Sequence, residues 1–180
     1  MTNSSVTVLL VLPAFLLPAQ TKTVQMSKND SYIVYRLHHP LHNIEATSKS
    51  ADCRIAIDPA AKTISTVSAT VDVTSFDSGN SNRDSHAMEV VEALLFPDAT
   101  FTSTSVVLSG DSLKASGTMT FHGVTNPLVI PAVVHWLPGK LQVDGNFGLS
   151  LTAYKIERPS LLFVPTDDTV KFTLRAVFTY

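Results

Sequence analysis

The histidines at the start of the chain have a spacing that could support metal chemistry. His38, His39 and His42 lie close together, and Glu45 and Cys53 follow a little further along. Imidazole, carboxylate and thiolate groups are ligands for transition metals, so this cluster is one candidate for a metal- or cofactor-dependent enzyme. Because side chains alternate along an extended chain, a site that uses all three histidines requires a turn within the cluster. The alternative is a histidine cluster that is solvated or packed against aromatic rings.

Two further polar groups are candidates for a functional or structural role. Arg83, Asp84 and His86 stand at the start of a helical pattern, where they could bind an anionic headgroup together with free backbone N–H groups. Alternatively, Arg83 and Asp84 pair with each other and cap the helix. His122 precedes Gly123, which predicts a turn with positive φ in which the imidazole satisfies a turn hydrogen bond. No spacing typical of a nucleophile elbow, a phosphate-binding loop or a dinucleotide fingerprint occurs, so no catalytic residue is predicted.

Apolar and polar residues alternate through most of the chain, which indicates β-strands. These strands must therefore position the polar groups. The alternation is clearest in residues 67–73, 113–121, 141–149 and 170–178. About eight such strands, joined by short turns, predict an all-β fold and an eight-stranded antiparallel barrel. Closing the sheet into a barrel removes the exposed edges that would otherwise promote aggregation.

One short helix interrupts the strands, and the pattern places it over residues 81–96. Ser81 or Asn82 can cap its start, and Asp84 puts a negative charge in its first turn. The Phe96-Pro97 pair ends it, because the residue before a proline avoids the helical region. The apolar face is formed by Met88, Val91 and Leu95.

The inward-facing residues indicate a cavity. An eight-stranded barrel has room for side chains or for one small ligand, and small residues such as Ala115 and Gly117 leave volume inside. An ordinary filled core is the alternative. The residues expected to line the cavity are Met88, Phe101, Ala115, Gly117, Met119, Phe121, Val143, Phe147, Phe172 and Leu174.

The composition fits one domain with a substantial core. The chain has 180 residues, of which 44% are hydrophobic and 16% charged, and its formal net charge is -2. This balance gives no electrostatic basis for binding nucleic acid or an anionic membrane surface. Cys53 is the only cysteine, so an intramolecular disulfide cannot form, and we expect it to be a small buried hydrophobe.

The first residues have the pattern of an export signal. An apolar run from Val6 to Leu17 precedes the small residue Ala19, and the run is too short to span a bilayer comfortably. We therefore predict a signal peptide over residues 1–19, a flexible segment over residues 20–31 and a barrel domain over residues 32–180.

Three motifs in the middle of the chain carry a family resemblance. They are R-D-x-H at residues 83–86, F-P-x-x-x-F at residues 96–101 and T-F-H-G-V-T at residues 120–125. In this order and spacing they resemble the YceI-like family of periplasmic, lipocalin-like barrels that bind polyisoprenoid lipids. The resemblance covers roughly residues 32–180, although Ala46 stands where the family has a glycine. The positions that it marks are Arg83, Asp84, His86, Phe96, Pro97, His122, Gly123 and Thr125.

The resulting hypothesis is a periplasmic or secreted barrel that binds, transports or stores an apolar isoprenoid-type lipid without catalysis. No metal and no cofactor are expected beyond a bound isoprenoid lipid or quinone. Nucleic acid binding and stable membrane insertion are not expected, and the protein should be a monomer or homodimer. Two alternatives stay open: a metal- or cofactor-dependent enzyme that uses His38, His39 and His42, and a ligand-free structural or stress-response barrel.

Overall fold

The structure, a computed structural model, describes residues 20–180 and consists of β-strands with one α-helix. The predicted signal peptide, residues 1–19, lies outside the described residues. The first strands are β1 Lys22–Gln25, β2 Tyr32–His39, β3 His42–Ser48, β4 Asp52–Asp58 and β5 Thr63–Asp72, and they precede the helix α1 Ser81–Val90. The later strands are β6 Asp98–Ser109, β7 Ser112–Phe121, β8 Val124–Leu137, β9 Lys140–Ser150, β10 Ser160–Leu161, β11 Val164–Pro165 and β12 Thr169–Thr179.

Ten of the strands form one antiparallel sheet in the order β1-β4-β5-β6-β7-β8-β9-β12-β2-β3. The sheet curls so strongly that Met26, just after β1, forms a bridge with Phe178 of β12. The neighbouring Ser27 N–H donates to the Val177 carbonyl at 2.7 Å. The all-β prediction with one helix is confirmed, whereas the prediction of eight strands is wrong.

The strand count differs because two short strand pairings have little sequence pattern. Residues 20–31, expected to be a flexible segment, contain β1, which pairs with β4 and places Val24 opposite Ile55. Val24 is the one buried residue of β1, so an otherwise polar segment gives no visible alternation. The connection between β9 and β12 contains the separate hairpin β10–β11, whose strands have two residues each.

The helix is shorter than the sequence predicts. Its cap is Asn80, whose side chain accepts from the Arg83 N–H at 3.1 Å, instead of Ser81 or Asn82. It ends at Val90, and Glu92 follows in the left-handed region at φ 47°. The chain therefore leaves the helical path before Leu95, which is exposed and not part of an apolar helix face.

The antiparallel order places several connections at the same end of the sheet. The β2–β3, β5–β6, β7–β8 and β9–β12 connections lie there, and α1 belongs to the β5–β6 connection. We call this the mouth end, and we call the end with the β4–β5, β6–β7 and β8–β9 turns the closed end. None of the helices within residues 20–180 combines the length and the apolarity that crossing a bilayer requires.

Candidate functional site

The curled sheet surrounds a cavity of about 280 Å³. Its wall is almost entirely apolar because the inward-facing positions of alternating strands carry aliphatic and aromatic residues. Met88 of α1 and Val91, which directly follows α1, contribute to the same wall. Nine of the ten residues expected to line a cavity lie in this wall: Met88, Phe101, Ala115, Met119, Phe121, Val143, Phe147, Phe172 and Leu174.

Gly117 does not line the cavity, and the expectation that it leaves room for a ligand is wrong. A Cβ atom at this position would stand 2.1 Å from the Thr102 carbonyl oxygen and 2.8 Å from Ser103 Cα. The register between β6 and β7 shifts at this point, between Ser103 and Ser105. Gly117 therefore permits a close approach of two backbones at a bulge.

The cavity opens at the mouth end. Wall residues toward the closed end, such as Leu113, Ala132 and Phe178, are buried. At the other end, Ala87 and Met88 of α1 also belong to the wall but are only partly buried. A ligand would therefore enter beside α1.

Aromatic rings shape the middle of the wall. Phe147 of β9 and Phe172 of β12 are cross-strand partners, and their rings stack with centroids 4.9 Å apart and planes 7° from parallel. Tyr35 lies 6.4 Å from Phe172 and 5.2 Å from Phe76, ring centre to ring centre. This aromatic cluster joins β9, β12 and β2 to the segment before α1.

A polar cluster stands beside the mouth. The Arg83 guanidinium donates to the Ser78 hydroxyl at 2.8 Å and to the Ser78 carbonyl at 2.7 Å. Asp84 accepts from the Ser78 N–H at 3.2 Å. Both side chains thus hold α1 against the loop that precedes it, and each also lines the cavity.

The Tyr35 hydroxyl belongs electrostatically to this polar cluster. Burial raises the pKa of Tyr35 above its ordinary value, the negative charge of Asp84 raises it further, and Arg83 opposes both. Tyr35 therefore stays neutral at physiological pH, and its hydroxyl can donate a hydrogen bond in an otherwise apolar wall. The motif residue His86 also lines the mouth, and its Nδ1 atom lies 3.7 Å from Glu89.

The remaining motif residues hold the β7–β8 turn against the segment after α1. His122, at φ 49°, donates from Nδ1 to the Tyr154 carbonyl at 2.9 Å, and its Nε2 lies 2.7 Å from Glu92 Oε2. The Phe96 ring meets the His122 imidazole edge-on at 4.8 Å. The imidazole therefore bonds to residues 32 and 30 positions away along the chain, and not within its own turn as the sequence predicts.

The other motif positions support the same junction. Gly123 has φ 69°, and a Cβ atom there would stand 2.7 Å from Phe96 Cε1. The Pro97 carbonyl accepts from the Val73 N–H at 2.8 Å. The Thr125 hydroxyl lies 2.8 Å from that of Thr120 across the β7–β8 pair. These contacts position the mouth and do not enter the cavity.

The histidine cluster has a structural arrangement. His39 is 1% exposed, accepts from the Leu41 N–H at Nδ1, 3.1 Å away, and donates from Nε2 to the Val164 carbonyl at 2.8 Å. His38 points to the other face of β2, where it lies 2.7 Å from Asn43 Oδ1. Among residues 20–180 no group of three or more His, Cys, Asp or Glu side chains could hold a metal ion. Both ring nitrogens of His39 are occupied, which disfavours a site built on all three histidines.

Cys53 lies in the cavity wall, and its burial raises the pKa of the thiol to about 12. The nucleophilic thiolate is therefore scarce at neutral pH. We predict that a thiol reagent such as dithionitrobenzoate labels Cys53 in denaturant but not in the native protein, whereas a Ser68→Cys control on the outer face reacts in both. An unfolded thiol ionises near pH 9.0, so stability should be insensitive to this group below that pH and fall above it. Rapid native labelling would contradict the burial.

A curled antiparallel sheet that surrounds an apolar cavity and carries one helix at its open end defines a lipocalin-like binding fold. The YceI-like domain profile matches residues 24–178. The chain belongs to the YceI-like family, as the three motifs suggested.

The relatives and solved structures that resemble this chain differ in sequence identity and in the share of the chain that they cover. Protein YceI of Salmonella newport (strain SL254) is 32% identical over 105 residues, which is 57% of this chain and 55% of the relative. The match thus spans about half the length of that curated relative. Among solved structures, Burkholderia cenocepacia BcnA aligns with a TM-score of 0.76 at 20% identity, covering 84% of this chain and 98% of that one. A polyisoprenoid binding domain from Saccharophagus degradans, implicated in plant cell wall breakdown, aligns with a TM-score of 0.68 at 13% identity, covering 87% and 97%. At these identities the structural similarity shows the fold alone.

Proposed function

We propose that this protein binds the apolar chain of an isoprenoid-type lipid, with or without a quinone ring, inside the cavity and performs no catalysis. The observation that carries the proposal is an apolar cavity that opens at one end beside α1. The binding named for the Saccharophagus degradans domain, which has the same fold, is consistent with this ligand class. Transport or storage of the lipid would follow from reversible binding.

The size of the cavity favours the binding of a single lipid chain. Its volume of about 280 Å³ stands near the lower end of the range of small-molecule pockets, roughly 300–1,000 Å³. Burial of each methylene contributes roughly 0.8 kcal/mol, so the length of chain that enters governs the affinity. A polar end of the lipid would remain at the mouth, where Arg83, Asp84 and Tyr35 provide hydrogen-bonding groups.

Export is part of the proposal. The apolar run between Val6 and Leu17 would act as a signal peptide that is removed before Gln20, and the resemblance to the YceI-like family implies the same destination. We therefore propose a periplasmic location, where an apolar lipid that moves through water needs a protein to enclose it.

The alternatives have less support. A ligand-free structural barrel would fill its interior with side chains, whereas Val67, Ala69 and Val71 of β5 lie in the cavity wall and are only partly buried. A metal-dependent enzyme at the histidine cluster would need imidazole nitrogens that His39 already uses.

The proposal is tested by narrowing the cavity. Ala69 lines it on β5, and its partial exposure leaves room beside the methyl group. We expect Ala69→Phe to reduce the fraction of protein that carries lipid at least several-fold, since each displaced methylene loses roughly 0.8 kcal/mol of burial. Native mass spectrometry of the purified protein measures bound lipid directly.

Ser68→Phe is the matched control, because residue 68 is exposed on the opposite face of the same strand. It should leave lipid occupancy unchanged. The absence of lipid from the unmodified protein, after extraction from its native compartment and after incubation with polyprenol, would refute the proposed function. Equal occupancy in both variants would place the ligand elsewhere.

A further inference from the structure

Large apolar side chains are exposed around the mouth end in three separate segments. The fully exposed Phe163 and the 75% exposed Leu162 form the tip of the β10–β11 hairpin. Leu41 is exposed in the β2–β3 turn, and Leu94 and Leu95 are exposed just after α1. Exposed contiguous apolar surface on a folded protein usually marks an interaction site. We call these five residues the apolar rim.

The tip of the β10–β11 hairpin uses residues that the turn disfavours. Leu161 pairs with Val164, which leaves a two-residue turn, and both turn residues have positive φ: 51° at Leu162 and 66° at Phe163. This geometry is that of a type I′ turn, in which Asn-Gly is strongly preferred because these residues tolerate the left-handed region. Leucine and phenylalanine raise the free energy of this turn, and Phe163 buries no surface within the protein while Leu162 buries little. The stability of the fold therefore does not explain why leucine and phenylalanine occupy this turn.

The tip is held in place and adjoins the β2–β3 turn. The Val164 carbonyl accepts from the buried His39 imidazole at 2.8 Å, which ties the hairpin to the β2–β3 turn that carries Leu41. The Thr166 N–H donates to the Pro159 carbonyl at 2.8 Å, and Pro159 itself lines the cavity. The part of the apolar rim formed by the hairpin tip and Leu41 therefore adjoins the apolar wall of the opening.

We infer that the apolar rim docks the mouth of the cavity on the surface of a lipid bilayer, with Leu162 and Phe163 inserted among the acyl chains. The rim consists of separate exposed tips, so it suits a fluid surface that can accommodate each tip independently. Because part of the rim adjoins the opening, an apolar ligand has a path from the bilayer to the cavity without crossing water. This path depends on the proposed function, but docking itself does not require that the cavity be occupied.

The charges near the tip indicate an apolar mode of docking. Lys155 and Arg158 are balanced by Glu157, Asp167 and Asp168 in the same connection. Arg158 is also engaged with the Thr166 carbonyl. With two cations and three anions, this connection lacks the basic excess that would attract anionic headgroups. Binding should therefore occur on phosphatidylcholine alone and change little with salt.

The test replaces the turn with its preferred residues. The double variant Leu162→Asn with Phe163→Gly retains the type I′ geometry, so its melting temperature should equal or exceed that of the parent protein. Its binding to phosphatidylcholine vesicles, measured by co-sedimentation across a range of lipid concentrations, should fall by at least about tenfold because two apolar side chains no longer insert. The matched control is Val107→Ser with Leu137→Ser, two exposed apolar residues near the closed end, and it should bind vesicles like the parent.

Four results would overturn the inference. Vesicle binding that is equal in the turn variant and the parent, or absent from the parent, excludes docking through the tip. Sedimentation equilibrium that shows a dimer of the parent, lost in the turn variant, assigns the rim to a second copy of the chain. Binding that needs phosphatidylglycerol and disappears in high salt assigns the contact to charge. Because the vesicles contain no polyprenol, none of these results depends on whether the cavity binds its proposed ligand.

Discussion

Gly117→Ala should destabilise the protein by at least roughly 2 kcal/mol, although it adds only one methyl group. The new Cβ atom would stand 2.1 Å from the Thr102 carbonyl oxygen, and that oxygen belongs to the backbone of β6. Backbone in the middle of a sheet cannot move aside as the end of a flexible side chain can. Relief would require the bulge between Ser103 and Ser105 to shift, together with its pairing to β7.

The bulge is connected to a third strand, which increases the expected cost. Ser103 Oγ accepts a hydrogen bond from the Val67 N–H of β5 at 2.8 Å. A shift of the bulge would break this bond and leave a backbone donor without its partner, which costs roughly 1–3 kcal/mol in a buried setting. Thermal unfolding should show a decrease of roughly 4–8 °C or more in melting temperature for a domain of this size.

Gly145→Ala provides the matched control, because Gly145 is also a strand glycine that lies inside the fold. Its Cβ atom would meet Ala132 Cβ and the Pro131 carbonyl oxygen at 3.4 Å, which is ordinary contact. We expect a change of less than about 1 kcal/mol, since alanine restricts the unfolded chain and thereby offsets the cost of the added contact. Equal melting temperatures for the two variants would show that a Cβ atom at residue 117 has no steric conflict with the β6 backbone.

Gly117 shows which features of the cavity wall can be predicted from the alternation of side chains along a strand and which cannot. Alternation in β7 and β12 identifies which residues face inward, since that choice depends only on position along a strand. It therefore predicts Ala115, Met119 and Phe172 in the cavity wall, where the structure places them. A glycine has no side chain whose polarity would indicate what surrounds it. The sequence of β7 also does not show that its partner strand β6 contains a bulge opposite Gly117.

The mouth depends on contacts between segments that are distant in sequence. The R-D-x-H motif marks Arg83 and Asp84, but their common partner is Ser78, which no motif identifies. Likewise, the end of α1 depends on Glu92, which turns out of the helix and meets His122 thirty residues later. Local propensity extends the helix to Phe96 because it contains no information about that contact.

The sequence does not predict the tip of the β10–β11 hairpin, because its turn residues are atypical. Turn prediction searches for glycine and asparagine, whereas this turn has Leu162 and Phe163. The only signal was a run of apolar residues between two prolines, which could equally have been buried in the core. Its exposure becomes evident only when His39 is placed against Val164.

Removal of the His39 side chain should destabilise the fold by roughly 2–5 kcal/mol. The imidazole is 1% exposed, so His39→Ala leaves a cavity in a packed region. It also removes the partners of the Leu41 N–H and the Val164 carbonyl, which are 3.1 Å and 2.8 Å from the ring nitrogens. Urea unfolding should show a lower midpoint with an unchanged slope, because the native fold is otherwise preserved.

The two neighbouring histidines provide the controls that distinguish packing from metal binding. His38→Ala and His42→Ala alter exposed side chains, and each should change stability by less than about 1 kcal/mol. If the three imidazoles instead shared a metal ion, each substitution would lower stability by a similar amount, and a chelator would lower that of the parent protein. Parent protein that loses stability in EDTA, together with equal effects of the three substitutions, would therefore contradict the structural role. A large effect confined to His39, insensitive to EDTA, is the result that the contacts of its two ring nitrogens predict.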